Sequence, residues 1–125
     1  MRTGVFAAVI KDKKLLLVKK KETWILPGGK PEHGESDLEC LAREVTLEEI
    51  PGTKLENIRY YNVFEGITPH KKDILQARVY FAGIKGEIKP GAEINACEWI
   101  DAKTNYNISE ITSKLIASLI KDGYL

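Results

Sequence analysis

Between Gly28 and Gly52 the chain places two glycines, then Glu35 after five residues, Arg43-Glu44-Val45 after seven more, and finally Glu48-Glu49. Clustered carboxylates supply the hard oxygen ligands that Mg²⁺ takes. Held against a diphosphate, that ion neutralises the charge that builds on the bridging oxygens when a phosphoanhydride is cleaved. The chemistry on offer is metal-assisted hydrolysis. Two like charges one helical turn apart cost roughly 0.2–0.5 kcal/mol in water, so Glu44 and Glu48 call for a compensating cation. For an arbitrary Glu-x-x-x-Glu pair a solvated charged face is the commoner explanation; the flanking glycines, Glu35 and Arg43 reverse that preference here.

The glutamates must be presented by a helix, and its start is written in Ser36 and Glu39, a capping box that follows Gly34-Glu35 and begins the helix near Asp37. Leu38, Leu41, Ala42 and Val45 recur at the spacing of one helical face, which predicts that this face is buried. At roughly 100° per residue, Glu44 and Glu48 fall about 40° apart on another face and can converge on one ion. Pro51-Gly52 ends the helix. Around it, residues 4–10 and 15–19 read as a hairpin turning at Lys11-Asp12-Lys13, and residues 58–64 and 74–84 as two more strands joined by a polar loop at 65–73. Residues 85–92 read as a loop, Glu98-Trp99-Ile100 as a short strand, and Ile108, Ile111, Leu115, Ile116, Leu119 and Ile120 as the apolar face of a second helix closing at Lys121 and Gly123. Unaided, these elements specify a mixed α and β domain.

The chain's 125 residues with 43% hydrophobic content suit one compact domain over residues 1–125. A formal charge of +1 gives no global field toward nucleic acid polymers or a membrane surface, so the expected partner is a small molecule. No apolar run approaches the roughly 20 residues of a membrane span, and the N-terminus runs into a strand without a signal-peptide core, so a cytoplasmic protein is expected. Cys40 and Cys97 lack metal-ligand spacing and read as ordinary thiols.

The motif resembles the signature of the Nudix hydrolases: Gly, five residues, Glu, seven residues, Arg-Glu, an aliphatic residue, any residue, Glu-Glu, any residue, Gly. Gly29, Glu35, Arg43, Glu44 and Val45 match in type and spacing, but Leu47 stands where the first glutamate of the pair belongs and Ile50 where the glycine belongs. Two registers accommodate the departure. Either Leu47 is a substitution, leaving Glu44 and Glu48 as ligands with weaker metal binding, or a one-residue π-bulge restores Glu48-Glu49 to the metal positions and turns Ile50 to the core. Helical angles favour the bulge, because without it Glu49 falls on the buried face and Leu47 points away from it. Trp24-Ile25-Leu26-Pro27 resembles the family's lead-in, and Glu93 resembles its distal metal-binding glutamate, with Glu65 or Glu98 as alternatives.

The resemblance implies an α/β/α sandwich with a mixed β-sheet between helices. It implies Mg²⁺, with Mn²⁺ as the alternative ion, held by Glu44, Glu48, Glu49, Glu93 and the Gly29 carbonyl, and a general base that is Glu48 or Glu93. Arg43 either contacts phosphate or braces a glutamate, the second being favoured, while Glu35 and Gly28 support the loop. Lys19, Lys20 and Lys21 are candidates for phosphate contact, Tyr60, Tyr61 and Phe64 for stacking on a base, and His70 for touching substrate. No second histidine or cysteine sits at zinc spacing from His33 or His70. The implied activity is hydrolysis of a nucleoside triphosphate to the monophosphate and pyrophosphate by a monomer or homodimer. The alternatives are a pyrophosphatase of ADP-ribose or another nucleoside-diphosphate sugar, for which the chain has no room for an added N-terminal element, and a weakened nucleotide-binding module.

Overall fold

A computed structural model describes residues 2–69 and 71–125. Its order is β1 (Arg2–Lys11), β2 (Lys14–Lys20), β3 (Thr23–Ile25), β4 (Gly28–Gly29), α1 (Asp37–Leu41), a π-helical segment (Ala42–Glu49), β5 (Lys54–Ile67), β6 (Ile74–Lys85), β7 (Ala96–Ile100) and α2 (Glu110–Lys121). The seven strands form one mixed sheet in the order β3-β2-β1-β6-β5, with β4 on β1 and β7 on β2. β1 and β6 run parallel from Arg2↔Leu75 to Val9↔Ala82, whereas the other pairs are antiparallel.

The apolar runs of β1 and β2 are continuous because both faces of the sheet are covered. Val5, Ala7, Val9 and Leu16 pack with Cys40, Leu41, Val45 and Ile50 on one face, while Ala8, Leu15, Leu17, Val79 and Phe81 pack with Leu115 and Leu119 of α2 on the other. The molecule is the expected α/β/α sandwich with a mixed sheet.

Most elements lie where the sequence places them. Ser36 and Glu39 make the reciprocal capping box and α1 starts at Asp37. β5 is longer than expected at both ends, so the loop before β6 shrinks to the hairpin turn between Ile67 and Ile74. β3 and β4 escaped the sequence reading because strands of three and two residues have no measurable period. The anticipated buried face of the first helix needs correction: Leu41 and Val45 are buried, but Leu38 is 53% exposed and Ala42 is exposed. The short α1 leans on the sheet through Asp37, which takes two hydrogen bonds from Arg78 and one from Tyr80, and through Cys40 and Leu41. Leu38 therefore sits on the outer side of that turn.

Two side chains of α2 close on the outer rim of β5. Glu110 accepts a hydrogen bond from the Ile67 amide, and Lys114 donates to the Glu65 carbonyl.

Candidate active site

Arg43 is the hub. Its Nε and Nη2 engage both oxygens of Glu35 at 2.8 and 2.9 Å, Nη1 donates to Glu44 at 2.7 Å and to Glu48 at 3.0 Å, and Nη2 reaches the Lys30 carbonyl at 3.0 Å. The forked contact to Glu35 uses the planar geometry of the guanidinium. It draws the Glu35 carboxyl down to about 2, helped by the Glu32 amide, and holds Arg43 itself above its usual value, the Glu35 pairing being the main cause. The geometry is that of a brace.

The segment after α1 takes the wide register across eight residues, ending with the Ile50 amide donating to Val45, five residues back, at 2.8 Å. In this register Ile50 is completely buried, as the bulge was expected to bring about, but Leu47 remains 71% exposed and Glu49 only 7% exposed, so the widening does not relieve the two misfits that helical angles assigned to a regular helix. A regular helix would have left Leu47 where a ligand is expected. Thr46 returns its hydroxyl to the Ala42 carbonyl inside the widened turn.

Glu49 Oε1 accepts the Gly28 amide at 2.8 Å. Burial pushes its carboxyl up to about 8, the negative charges of Glu44 and Glu48 push the same way, and the Gly28 amide and Lys20 oppose them. The glycines lie paired to β1 rather than in a free turn. A Cβ on Gly28, whose φ is 144°, would fall 2.2 Å from the Val5 carbonyl, and one on Gly29 would fall 2.6 Å from Glu44 Oε2. The missing side chain at Gly29 thus admits the Glu44 carboxylate beside β4, and the one at Gly28 lets β4 lie against β1. The Gly29 carbonyl faces Cys40 Sγ at 3.6 Å, and burial holds that thiol up at about 11, so Cys40 is an inert packing group.

A cavity of about 460 Å³ opens over these residues. Its wall carries the charged side chains of Glu44, Glu49, Glu93, Lys20, Lys21 and Lys30 beside Gly28 and Gly29, together with the apolar and hydroxyl groups of Phe6, Ile67, Thr68, Leu75, Ile111 and Thr112. Lys20 Nζ stands 3.6 Å from Glu93 Oε2. Lys21 and Glu93 both hold left-handed backbone, with φ of 57° and 63°, a conformation that persists in non-glycine residues only where neighbours impose it.

Other candidates lie elsewhere. Lys19 does not line the cavity and rests over the Trp24 ring at 6.0 Å. Tyr61 is part of the α2 side of the core, its ring 4.6 Å from that of Phe81 and its hydroxyl bonded to Ser118 and Asp122, so it does not face the cavity. Glu65 and Glu98, the alternatives to Glu93, do not line it either. His70 lies outside the described residues. Sequence reasoning missed Lys30, Arg2 and Lys71 at the rim. Of these only Lys30 carried a signal, its place directly after Gly29.

Among the described residues no three acidic, histidine or cysteine side chains stand ready around one ion. The donor set nevertheless fits a hard divalent cation: a buried carboxylate beside a second one, with a third held one hydrogen bond away by Arg43.

The NUDIX domain model matches residues 1–119. The chain belongs to the Nudix family. Among solved structures, a MutT NUDIX hydrolase from Burkholderia pseudomallei is 26% identical, with 93% of this chain and 95% of that one covered at a TM-score of 0.81. A putative nudix hydrolase family member from Chromobacterium violaceum is 22% identical over 97% of this chain and 77% of that one, with a TM-score of 0.75. A bifunctional NMN adenylyltransferase/ADP ribose pyrophosphatase from Francisella tularensis is 20% identical, covering 97% of this chain and 41% of that one at a TM-score of 0.69. The last two likenesses establish the fold. Comparison with curated proteins finds no match. The protein is thus a Nudix pyrophosphohydrolase, of a family that generally uses a divalent metal and acts on small-molecule nucleotides. Among the described residues no helix is long and apolar enough to cross a membrane.

Proposed function

We propose that this Nudix enzyme is a Mg²⁺-dependent, cytoplasmic, single-domain hydrolase that converts a nucleoside triphosphate to the monophosphate and pyrophosphate. The observation that carries this reading is the buried Glu49 carboxylate, anchored by the Gly28 amide beside Glu44 in a cavity rimmed by lysines. Glu44, Glu48, Glu49 and Glu93 would hold the ion, with Glu48 turning away from Arg43 to reach it. When bound, Mg²⁺ or Mn²⁺ neutralises charge on the phosphate oxygens.

The chain's own groups do the rest. Lys20, Lys21 and Lys30 draw the polyphosphate to the carboxylates, and the apolar and hydroxyl groups of the same cavity take the nucleoside. The oxygen of a water attacks phosphorus, the anhydride P–O bond breaks, and the water's proton passes to a carboxylate. Of the two candidates for that transfer, Glu93 lines the cavity and Glu48 does not. Arg43 and Glu35 keep the ligand glutamates in place.

The test is release of pyrophosphate and phosphate from a panel of nucleoside triphosphates, ADP-ribose and a UDP-sugar with Mg²⁺, run beside Glu44→Gln. Triphosphate turnover lost in the variant is the expected result. Turnover confined to ADP-ribose or the UDP-sugar overturns the substrate, and tight nucleotide binding without turnover overturns the reaction.

A further inference from the structure

The residues that bring Glu93 to the cavity are joined to the π-helical segment through one glycine. The Gly91 amide donates to the Glu49 carbonyl at 2.7 Å. A Cβ at Gly91 would lie 2.2 Å from the Glu48 carbonyl oxygen, 2.6 Å from Pro51 Cδ and 3.1 Å from the Glu49 carbonyl oxygen. Among the glycines, Gly91 does not take left-handed backbone, so only lack of space demands a glycine. The last carbonyls of a helix have no partner within it, and the Gly91 amide supplies one at the turn that presents Glu48 and Glu49.

The same short strap is tied at its other end. Ile94 is buried and its amide returns to the Gly91 carbonyl at 3.2 Å. The Asn95 amide donates to the Lys19 carbonyl at 2.8 Å, and Asn95 Nδ2 donates to the Lys21 carbonyl at 3.1 Å. Glu93 lies between these anchors in its left-handed conformation. With both neighbours fixed, the strap sets the backbone position from which the Glu93 side chain leaves.

We propose that Gly91 is a positioning residue: its close backbone contact with Glu48 and Glu49 fixes where Glu93 stands relative to the glutamates of the π-helical segment. The proposal rests on the reading of these glutamates as a metal-binding set, and it concerns the coupling between them and Glu93. A methyl group at 91 must push the strap or the helix end by an ångström or so, and displacements of that size at a ligand set change metal affinity by about tenfold to a hundredfold.

The experiment is a double-mutant cycle on the whole chain, read by Mn²⁺ binding in calorimetry. Wild type, Gly91→Ala, Glu93→Gln and the double variant are compared, with melting temperature as the folding control. The expected result is a Kd about tenfold weaker in Gly91→Ala, with the double variant no weaker than Glu93→Gln alone within about twofold. Independent, multiplying losses overturn the proposal, as does an unchanged Kd in Gly91→Ala. Should Gly91→Ala fail to fold, Asn95→Ala loosens the other anchor without a clash. It is then expected to weaken Mn²⁺ binding severalfold in wild type and not in Glu93→Gln, and equal losses in both backgrounds overturn the coupling. Wild type that binds Mn²⁺ but turns over none of the panel defeats the functional reading and leaves the cycle readable. Wild type that binds no Mn²⁺ overturns both.

Discussion

The two helical layers that enclose the sheet are built differently. α2 is a regular helix: Ser109 caps it through the Thr112 amide, Ile111, Leu115 and Leu119 fill its inner face, and Lys121 sits in its last turn. On the opposite face a five-residue α1 gives way to a π-helical segment that buries a carboxylate and leaves a leucine in solvent. The difference teaches where the molecule keeps its strength and where it keeps its chemistry. α2 follows propensity, capping and apolar periodicity at once, whereas the other layer departs from all three after Leu41 and delivers Glu49 to Gly28.

The sharpest way to break this contrast is Glu49→Gln, which keeps the shape and removes the charge. We expect turnover to fall about 10²- to 10⁴-fold, within the range for loss of a catalytic carboxylate, while the melting temperature holds or rises. Steady-state rates beside a thermal melt check it, and a large fall in stability with retained turnover per folded molecule would sink the assignment. Leu115→Ala probes the other layer. This fully buried side chain should cost about 2–5 kcal/mol in urea unfolding with little change in KM.

A third test uses pH. The Glu49 carboxyl is pushed from 4.5 up to about 8, so without metal the folded state holds its proton more tightly than the unfolded chain does. That contribution is fully present below pH 4.5 and lost as pH rises through about 8. Unfolding free energies from urea titrations in a chelator should therefore fall across this window by an amount on the order of a few kcal/mol, and Glu49→Gln should flatten the trend. An equally steep trend in the variant would place the titrating group elsewhere. The smallest effect is expected from Leu47→Glu. At 71% exposure the new carboxylate reaches solvent, so stability should stay within about 0.5 kcal/mol and metal affinity within twofold. A gain in affinity would mean that the helix adopts the regular register in solution.

Much of this contrast was legible in the sequence. The departure of Leu47 and Ile50 from the family signature was enough to point to an extra residue, and Ser36, Glu39 and Pro51 marked the ends of the irregular helix. The sequence did not show that the widening extends over eight residues, because hydrogen-bond register is shared along a helix and no single side chain records it. Leu38 was misplaced since periodicity assumes one continuous helix lying on the sheet, and here the first turn is held by Asp37. Tyr61 and Lys19 were drawn toward the site by residue type, yet which side of a strand faces a cavity is decided by distant elements, here α2 and Trp24. The strap at Gly91 was invisible for a similar reason: its requirement for glycine comes from carbonyls more than forty residues earlier in the chain.

The grip of α2 on β5 has a further consequence. An outermost strand offers its unpaired amides and carbonyls as a template for another chain. At Glu65 and Ile67 these groups are already occupied by Lys114 and Glu110, and the register is broken twice along the same strand, between Glu56 and Arg59 and between Tyr60 and Asn62. The helix thus acts as a surrogate neighbour for the sheet at this end of β5, where two groups that another chain could pair with are already taken.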